Sequence, residues 1–125
     1  MKRNAIIIDI DGTLIMSGKD INKPLIDMIL RIGAIYKIIL VSYRKETQRK
    51  RTVKQLSKFG IPYTELILNK NLKTVSLNWT SQRFKETVLN SLEEKYEIKL
   101  AIDNNDEVIK MYQRHKIFCW KVISN

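Results

Sequence analysis

Apolar positions along this chain follow two rhythms. Short solid runs alternate with stripes in which apolar residues recur every three or four positions. The runs predict buried strands, and the stripes predict helices with one inward face. Residues 4–10 make the first run, which ends in Ile6-Ile7-Ile8-Asp9-Ile10. Residues 14–21 read as a connector containing Ser17 and Gly18. Asn22 is placed to cap a helix, Pro24 sits near its first turn, and Leu25, Ile26, Met28, Ile29 and Ile32 form its stripe, ending near Gly33. Residues 37–41 give the second strand. Residues 46–59 give a basic helix with Val53, Leu56 and Phe59 inward, closed by Gly60, and Pro62 then breaks the chain. Residues 64–68 are a short third strand. Residues 69–80 are polar, with Leu72, Val75, Leu77 and Trp79 as anchors. A helix over 81–95, a strand over 99–102, a helix over 105–115 and a strand over 117–123 complete the pattern.

Alternating strands and helices imply a parallel sheet with helices on both faces. The expected fold is therefore α/β, a three-layer doubly wound parallel sheet of about five strands, in a single domain over 1–125. Ligands in such sheets bind beyond the carboxyl ends of the strands. The residues there are polar. The first strand runs into Asp9 and Asp11, the second into Ser42-Tyr43-Arg44, and the fourth into Asp103-Asn104-Asn105-Asp106. Three strands thus deliver acid, hydroxyl and acid to one edge.

The first of these is the most specific. A strand has a side-chain period of two, so Asp9 and Asp11 leave toward the same side. Two ionised carboxylates so close are tolerated when a cation lies between them or when one holds a proton. The first arrangement is a Mg²⁺ site and the second a general acid, and phosphoryl transfer through an aspartate nucleophile needs both. Asp-Gly alone is an ordinary turn signal. The string Asp9-Ile10-Asp11-Gly12-Thr13-Leu14, directly behind four apolar residues, is far rarer.

Charge adds a second clue. Lys and Arg number 23 against 13 acidic residues, a net charge of +10. Such an excess favours a polyanionic partner, although lysines also serve solubility. Position is more telling. Arg44, Lys45, Arg49, Lys50, Arg51, Lys54 and Lys58 fall close together, offset only by Glu46. They begin where the second strand reaches the polar edge, which favours a nucleic-acid or nucleotide substrate over a merely solvated helix. The one cysteine, Cys119, excludes an internal disulfide and reads as a small buried residue. No run approaches the ~20 apolar residues that span a bilayer. No secretory signal opens the chain, so a cytoplasmic setting and no membrane partner are expected. A kinase P-loop is absent, because Gly12 and Gly18-Lys19 are spaced one residue too far and Asp20 replaces the hydroxyl.

The string at residues 9–14 resembles motif I of the haloacid dehalogenase (HAD) phosphohydrolase superfamily. That resemblance implies Asp9 as nucleophile, Asp11 as general acid and base, Ser42 as the hydroxyl that binds the transferring phosphoryl group, and Lys85 as the motif III lysine. It also implies Mg²⁺ held by Asp9, Asp11 and Asp103, with Asn104 beside them. Gly12, Thr13, Tyr43 and Arg44 are the expected substrate contacts. In a chain this rich in lysine, a solvated Lys85 is the plain alternative. Leu40-Val41-Ser42-x-Arg44, Gly60-Ile61-Pro62-Tyr63, and Ala101-Ile102-Asp103 with Val108-Ile109-x-Met111-Tyr112 and Ile117-x-Cys119-Trp120-x-Val122 look like the 3′-phosphatase domain of bacteriophage polynucleotide kinases. The resemblance implies a Mg²⁺-dependent phosphomonoesterase acting on 3′-phosphorylated nucleic-acid ends or nucleotides. Met111, Tyr112, Cys119 and Trp120 are expected to pack in the core.

There are departures. The family usually carries paired aspartates and an arginine in motif IV, where this chain has Asp103-Asn104-Asn105. Weaker Mg²⁺ binding follows, which Asp106 is positioned to offset. Tyr43 stands where glycine is usual. The stretch from Leu14 to Asn22 has room for a flap but not for a cap domain. Two rivals stay open: a phosphatase of small metabolites or mononucleotides, and an impaired nucleic-acid-binding module of the same fold.

Overall fold

The computed structural model describes residues 1–70 and 79–123. Strand β1 (Arg3–Ile8) is followed by a hairpin of β2 (Ile15–Ser17) and β3 (Asp20–Ile21). Helix α1 (Lys23–Ile32), β4 (Lys37–Lys45), a 3₁₀ turn (Glu46–Gln48), α2 (Arg49–Lys58) and β5 (Glu65–Asn69) come next. Helix α3 (Ser81–Glu93), β6 (Tyr96–Asp103), α4 (Asp106–Arg114) and β7 (Cys119–Lys121) complete the order. The main sheet runs β5-β4-β1-β6-β7, with every pairing parallel. It is the α/β sheet that the apolar rhythm predicts, and the described residues contain no cap.

Strand parity divides the core into two layers. Ile6, Ile8, Ile38 and Leu40 face α1 and α2, packing with Ile26, Ile29 and Leu56. Ala5, Ile7, Ile39 and Val41 face α3 and α4, packing with Phe84, Leu89, Val108, Met111 and Tyr112. Both faces are buried, so the strands read as unbroken apolar runs rather than alternating ones. Each fully buried Ile or Leu contributes roughly 1.5–3 kcal/mol.

Several expectations need correction. The connector over 14–21 is an antiparallel hairpin with Gly18 in the left-handed region at its tip (φ 54°). Val53 is exposed, because the buried face of α2 runs through Thr52 and Leu56, one turn apart, and Val53 lies about 100° around the helix from Thr52. Trp120 is 44% exposed on edge strand β7 rather than in the core. Cys119 is half-buried, and that burial with the nearby Asp103 carboxylate pushes its thiol up to about 12. The thiol stays protonated, which fits a packing role. Leu72, Val75 and Leu77 lie outside the described residues.

The sheet order fixes where a ligand can sit. The chain moves from β1 to β4 and β5 on one side, then crosses to β6 and β7 on the other. The crevice at the carboxyl ends of β4, β1 and β6 is therefore the topological switch point.

Candidate active site

Strand β1 ends where its last rung forms, as the Asp9 N–H donates to the Ile102 carbonyl at 3.0 Å. The chain then folds over one carbonyl. Ile10 O accepts from the N–H groups of Thr13, Leu14 and Ile15 at 3.2, 2.9 and 3.0 Å. Gly12 suits this loop through its positive φ, and a Cβ would also displace the Asn104 side chain. Its φ is +79°, and a Cβ there would lie 2.2 Å from Asn104 Nδ2. The α1 cap ties the loop down from outside. The Asn22 side chain accepts from Leu25 N–H at 3.3 Å and donates to the Thr13 carbonyl at 3.0 Å.

This loop separates the two aspartates. The period-two expectation holds only while the strand lasts, and it stops at Ile8. Asp9 is 7% exposed and faces Lys85. The Asp11 side chain is 57% exposed and faces Arg44. Neither a shared cation nor a shared proton is required between them, because each carboxylate has a basic partner of its own.

Lys85 is buried, not solvated. The α3 residues Phe84, Lys85, Leu89 and Leu92 form its inward face. The Lys85 ammonium donates to Asp9 Oδ1 at 2.7 Å and to Asp103 Oδ2 at 2.6 Å. Thr13 Oγ1 donates to Asp9 Oδ2 at 3.1 Å, and the Asn104 and Asn105 N–H groups donate to Asp103 Oδ1 at 2.8 and 3.0 Å. Burial pushes the Asp9 carboxyl up to about 6 against the pull of Lys85. Burial also opposes the charged form of Lys85, but the two flanking carboxylates outweigh it and hold the ammonium above the ordinary lysine range. Two carboxylates against one ammonium leave a formal negative charge in a nearly dry site, which favours a further cation. Their hard oxygens fit Mg²⁺, which commonly takes one or two carboxylates and keeps its waters. Among the described residues, no group of three or more His, Cys, Asp or Glu converges as a complete metal cage.

The second pair is built on β4 and α2. Arg44 donates from Nε and Nη2 to Asp11 Oδ2 and Oδ1, at 2.8 and 2.6 Å, in a two-pronged clamp. Its Nη1 donates to Gln55 Oε1 at 2.7 Å and to Thr52 Oγ1 at 3.3 Å. Ser42 is buried at the same strand end, and its Oγ accepts from the Arg44 N–H at 3.2 Å. Tyr43 is partly exposed, with its ring 5.8 Å from that of Phe84 and its hydroxyl donating to the Trp79 carbonyl at 3.0 Å.

Asp9, Asp11, Ser42, Arg44, Lys85 and Asp103 therefore gather at one edge. Thr13 is counted from sequence among the substrate contacts, but its side chain is fully buried on Asp9 and positions the carboxylate. Asp106 pairs with Lys121 at 2.7 Å on the surface. Asn105 caps α4, accepting from Val108 N–H at 3.1 Å. Thr52 and Gln55 support Arg44, and sequence reasoning missed them. Their spacing of three on a helix was the available signal.

A family model, described as the polynucleotide kinase PNKP phosphatase domain, matches residues 3–125. The chain belongs to the polynucleotide kinase phosphatase-domain family. The fold of this phosphatase domain is shared with solved structures. One, from the Pnkp1/Rnl/Hen1 RNA repair complex, is 25% identical with a TM-score of 0.85, covering 99% of this chain and 43% of that one. A second structure of the Pnkp1/Rnl/Hen1 complex is 25% identical with a TM-score of 0.80, covering 99% and 47%. This chain thus spans less than half of those two chains. The core domain of a protein from Streptococcus pneumoniae assigned as a phosphoglycolate phosphatase shares the fold at 14% identity, with a TM-score of 0.60 and coverage of 99% and 82%. No curated protein matches.

Proposed function

We propose that this phosphatase domain is a Mg²⁺-dependent phosphomonoesterase that removes a 3′-phosphate from a nucleic-acid end by way of an aspartyl-phosphate. The observation that carries this reading is the convergence of Asp9, Lys85 and Asp103 beside Ser42 and Asp11 at the switch point. The Asp9 carboxylate attacks phosphorus, and the ester oxygen leaves with the proton that Asp11 has taken up from solvent on parting from Arg44. Asp11 then takes a proton from water, whose oxygen attacks the acyl phosphate, freeing phosphate and regenerating the Asp9 carboxylate. The Ser42 hydroxyl and the Lys85 ammonium hold the equatorial oxygens, where charge spreads in the transition state. Asp9 and Asp103 would hold the metal with the Asp11 carbonyl, and Asn104 would accept from a metal-bound water. Bound there, Mg²⁺ supplies charge neutralisation between the carboxylates and the incoming phosphate.

Nucleic acid is the favoured substrate because the family is that of polynucleotide kinase phosphatase domains and α2 is basic beside the site. A panel of oligonucleotides phosphorylated at the 3′ or the 5′ end, together with mononucleotides, tests the reading with and without Mg²⁺. Release from 3′ ends that needs Mg²⁺ and falls by more than about 10⁴ in Asp9→Asn is expected. Retained turnover in Asp9→Asn, with its circular dichroism unchanged, overturns the nucleophile.

A further inference from the structure

The phosphatase chemistry leaves one polar cavity unused. Arg44, Gln48, Arg51, Thr52 and Gln55 line a space of about 220 Å³ on α2 and the turn before it. It adjoins the reaction centre through a single side chain, because the Arg44 guanidinium that lines it also clamps Asp11. Its lining presents donors. Gln48 Oε1 accepts from the Lys45 N–H at 3.3 Å, and Gln55 Oε1 accepts from Arg44 Nη1 at 2.7 Å. Both amides therefore keep their NH₂ groups to give. No carboxylate pairs with Arg51 among the described residues, whereas the neighbouring Arg49 is committed to Glu46 and to the Leu66 carbonyl.

The Arg51 guanidinium, with two amide donors and a hydroxyl beside it, matches an anion that carries several acceptor oxygens, while Arg44 is already bonded to Asp11, Thr52 and Gln55. Guanidinium groups grip phosphate oxygens two at a time. A base would call for aromatic or apolar walls, and this lining has neither. Its volume is also below the roughly 300–1,000 Å³ of pockets that enclose a whole small molecule. A phosphodiester with part of its sugar is the better match.

We propose that this cavity is a subsite for the phosphodiester next to the terminal nucleotide, so that the protein grips a polynucleotide end in preference to a mononucleotide. The proposal rests on the phosphatase reading for what occupies the neighbouring centre. Arg44 links the two positions, with one edge on Asp11 and the other on Thr52 and Gln55 of the cavity wall. Arg51 supplies the charge that a mononucleotide does not reach.

Calorimetric titration of the Asp9→Asn protein with Mg²⁺ and a 3′-phosphorylated dinucleotide tests this without turnover. The dinucleotide should bind about tenfold more tightly than its analogue with an uncharged methylphosphonate linkage, as for one charged hydrogen-bonded contact. Arg51→Ala should erase that preference and leave binding of a 3′-phosphorylated mononucleotide unchanged. Arg51 is exposed, so this variant should fold normally. Equal affinity for the two linkages overturns the subsite. So does a preference that survives Arg51→Ala, or an equal loss for mononucleotide and dinucleotide. Turnover of nitrophenyl phosphate by the wild-type protein checks the phosphatase reading separately. Its absence removes that reading and leaves the linkage preference to be judged on binding alone.

Discussion

Two charge clusters meet at this sheet edge, and they are built in opposite ways. The Asp9–Lys85–Asp103 cluster is nearly dry, with side chains 2–9% exposed, and every member is held by a second partner or a packed helix. The Asp11–Arg44 clamp is wetter, with the carboxylate side chain 57% exposed. Water screens the second pair and lets its carboxylate exchange partners at little cost. The first cluster has no such freedom, because separating buried charges strands them. A fixed cluster suits the groups that must be aligned before chemistry, which are the nucleophile and metal ligands in the proposed mechanism. A clamp open to solvent suits the proposed acid, which would meet a leaving group and then a water.

After loss of the nucleophile, exchange of Asp11 for Asn should show the largest effect. Turnover of a 3′-phosphorylated oligonucleotide should fall by about 10²–10⁴, with KM little changed, since the group acts in the transition state. Stability should hardly move, because the lost ion pair is half-exposed. A large loss of stability in urea would erase the contrast between the two regions.

Lys85→Met should do the reverse. It leaves two buried carboxylates facing each other and should lower stability by about 3–5 kcal/mol in metal-free urea unfolding. Mg²⁺ should recover part of that loss, because a divalent ion replaces the missing charge.

The pH dependence of metal-free stability separates the regions further. Burial raises the Asp9 carboxyl from 3.8 to about 6, so between these values the folded chain holds a proton that the unfolded chain has released. That contribution is complete below pH 3.8 and is lost as pH rises through about 6. The stability difference between wild type and Asp9→Asn should therefore shift against wild type over this window, as read by thermal melts in chelator. A flat difference would mean that Asp9 is not held dry.

The smallest effect concerns salt. Oligonucleotide affinity should fall with ionic strength, by about 0.7 in logarithmic slope for each phosphate contact on a single strand. Binding that ignores salt would detach the basic α2 helix from the substrate.

The sequence by itself determined the sheet and its chemistry-bearing edge. Solid apolar runs at Ala5–Ile8 and around Ile39 force strands buried on both faces, and polar residues can follow them only at the strand ends. Asn22, Pro24 and Gly60 mark helix limits through local rules that need no distant partner. Distances across the chain were another matter. Lys85 is 76 residues from Asp9, and only the packing of α3 against the sheet turns it from a candidate for solvent into the cation between two carboxylates. The division of labour between Asp9 and Asp11 was likewise a tertiary decision. Two residues apart in sequence, they are parted by the Gly12 loop and claimed by basic groups from α3 and β4. Local periodicity can say which residues reach an edge. Which charges neutralise which depends on elements brought together by the core, whose apolar contacts carry no record of the ion pairs they align.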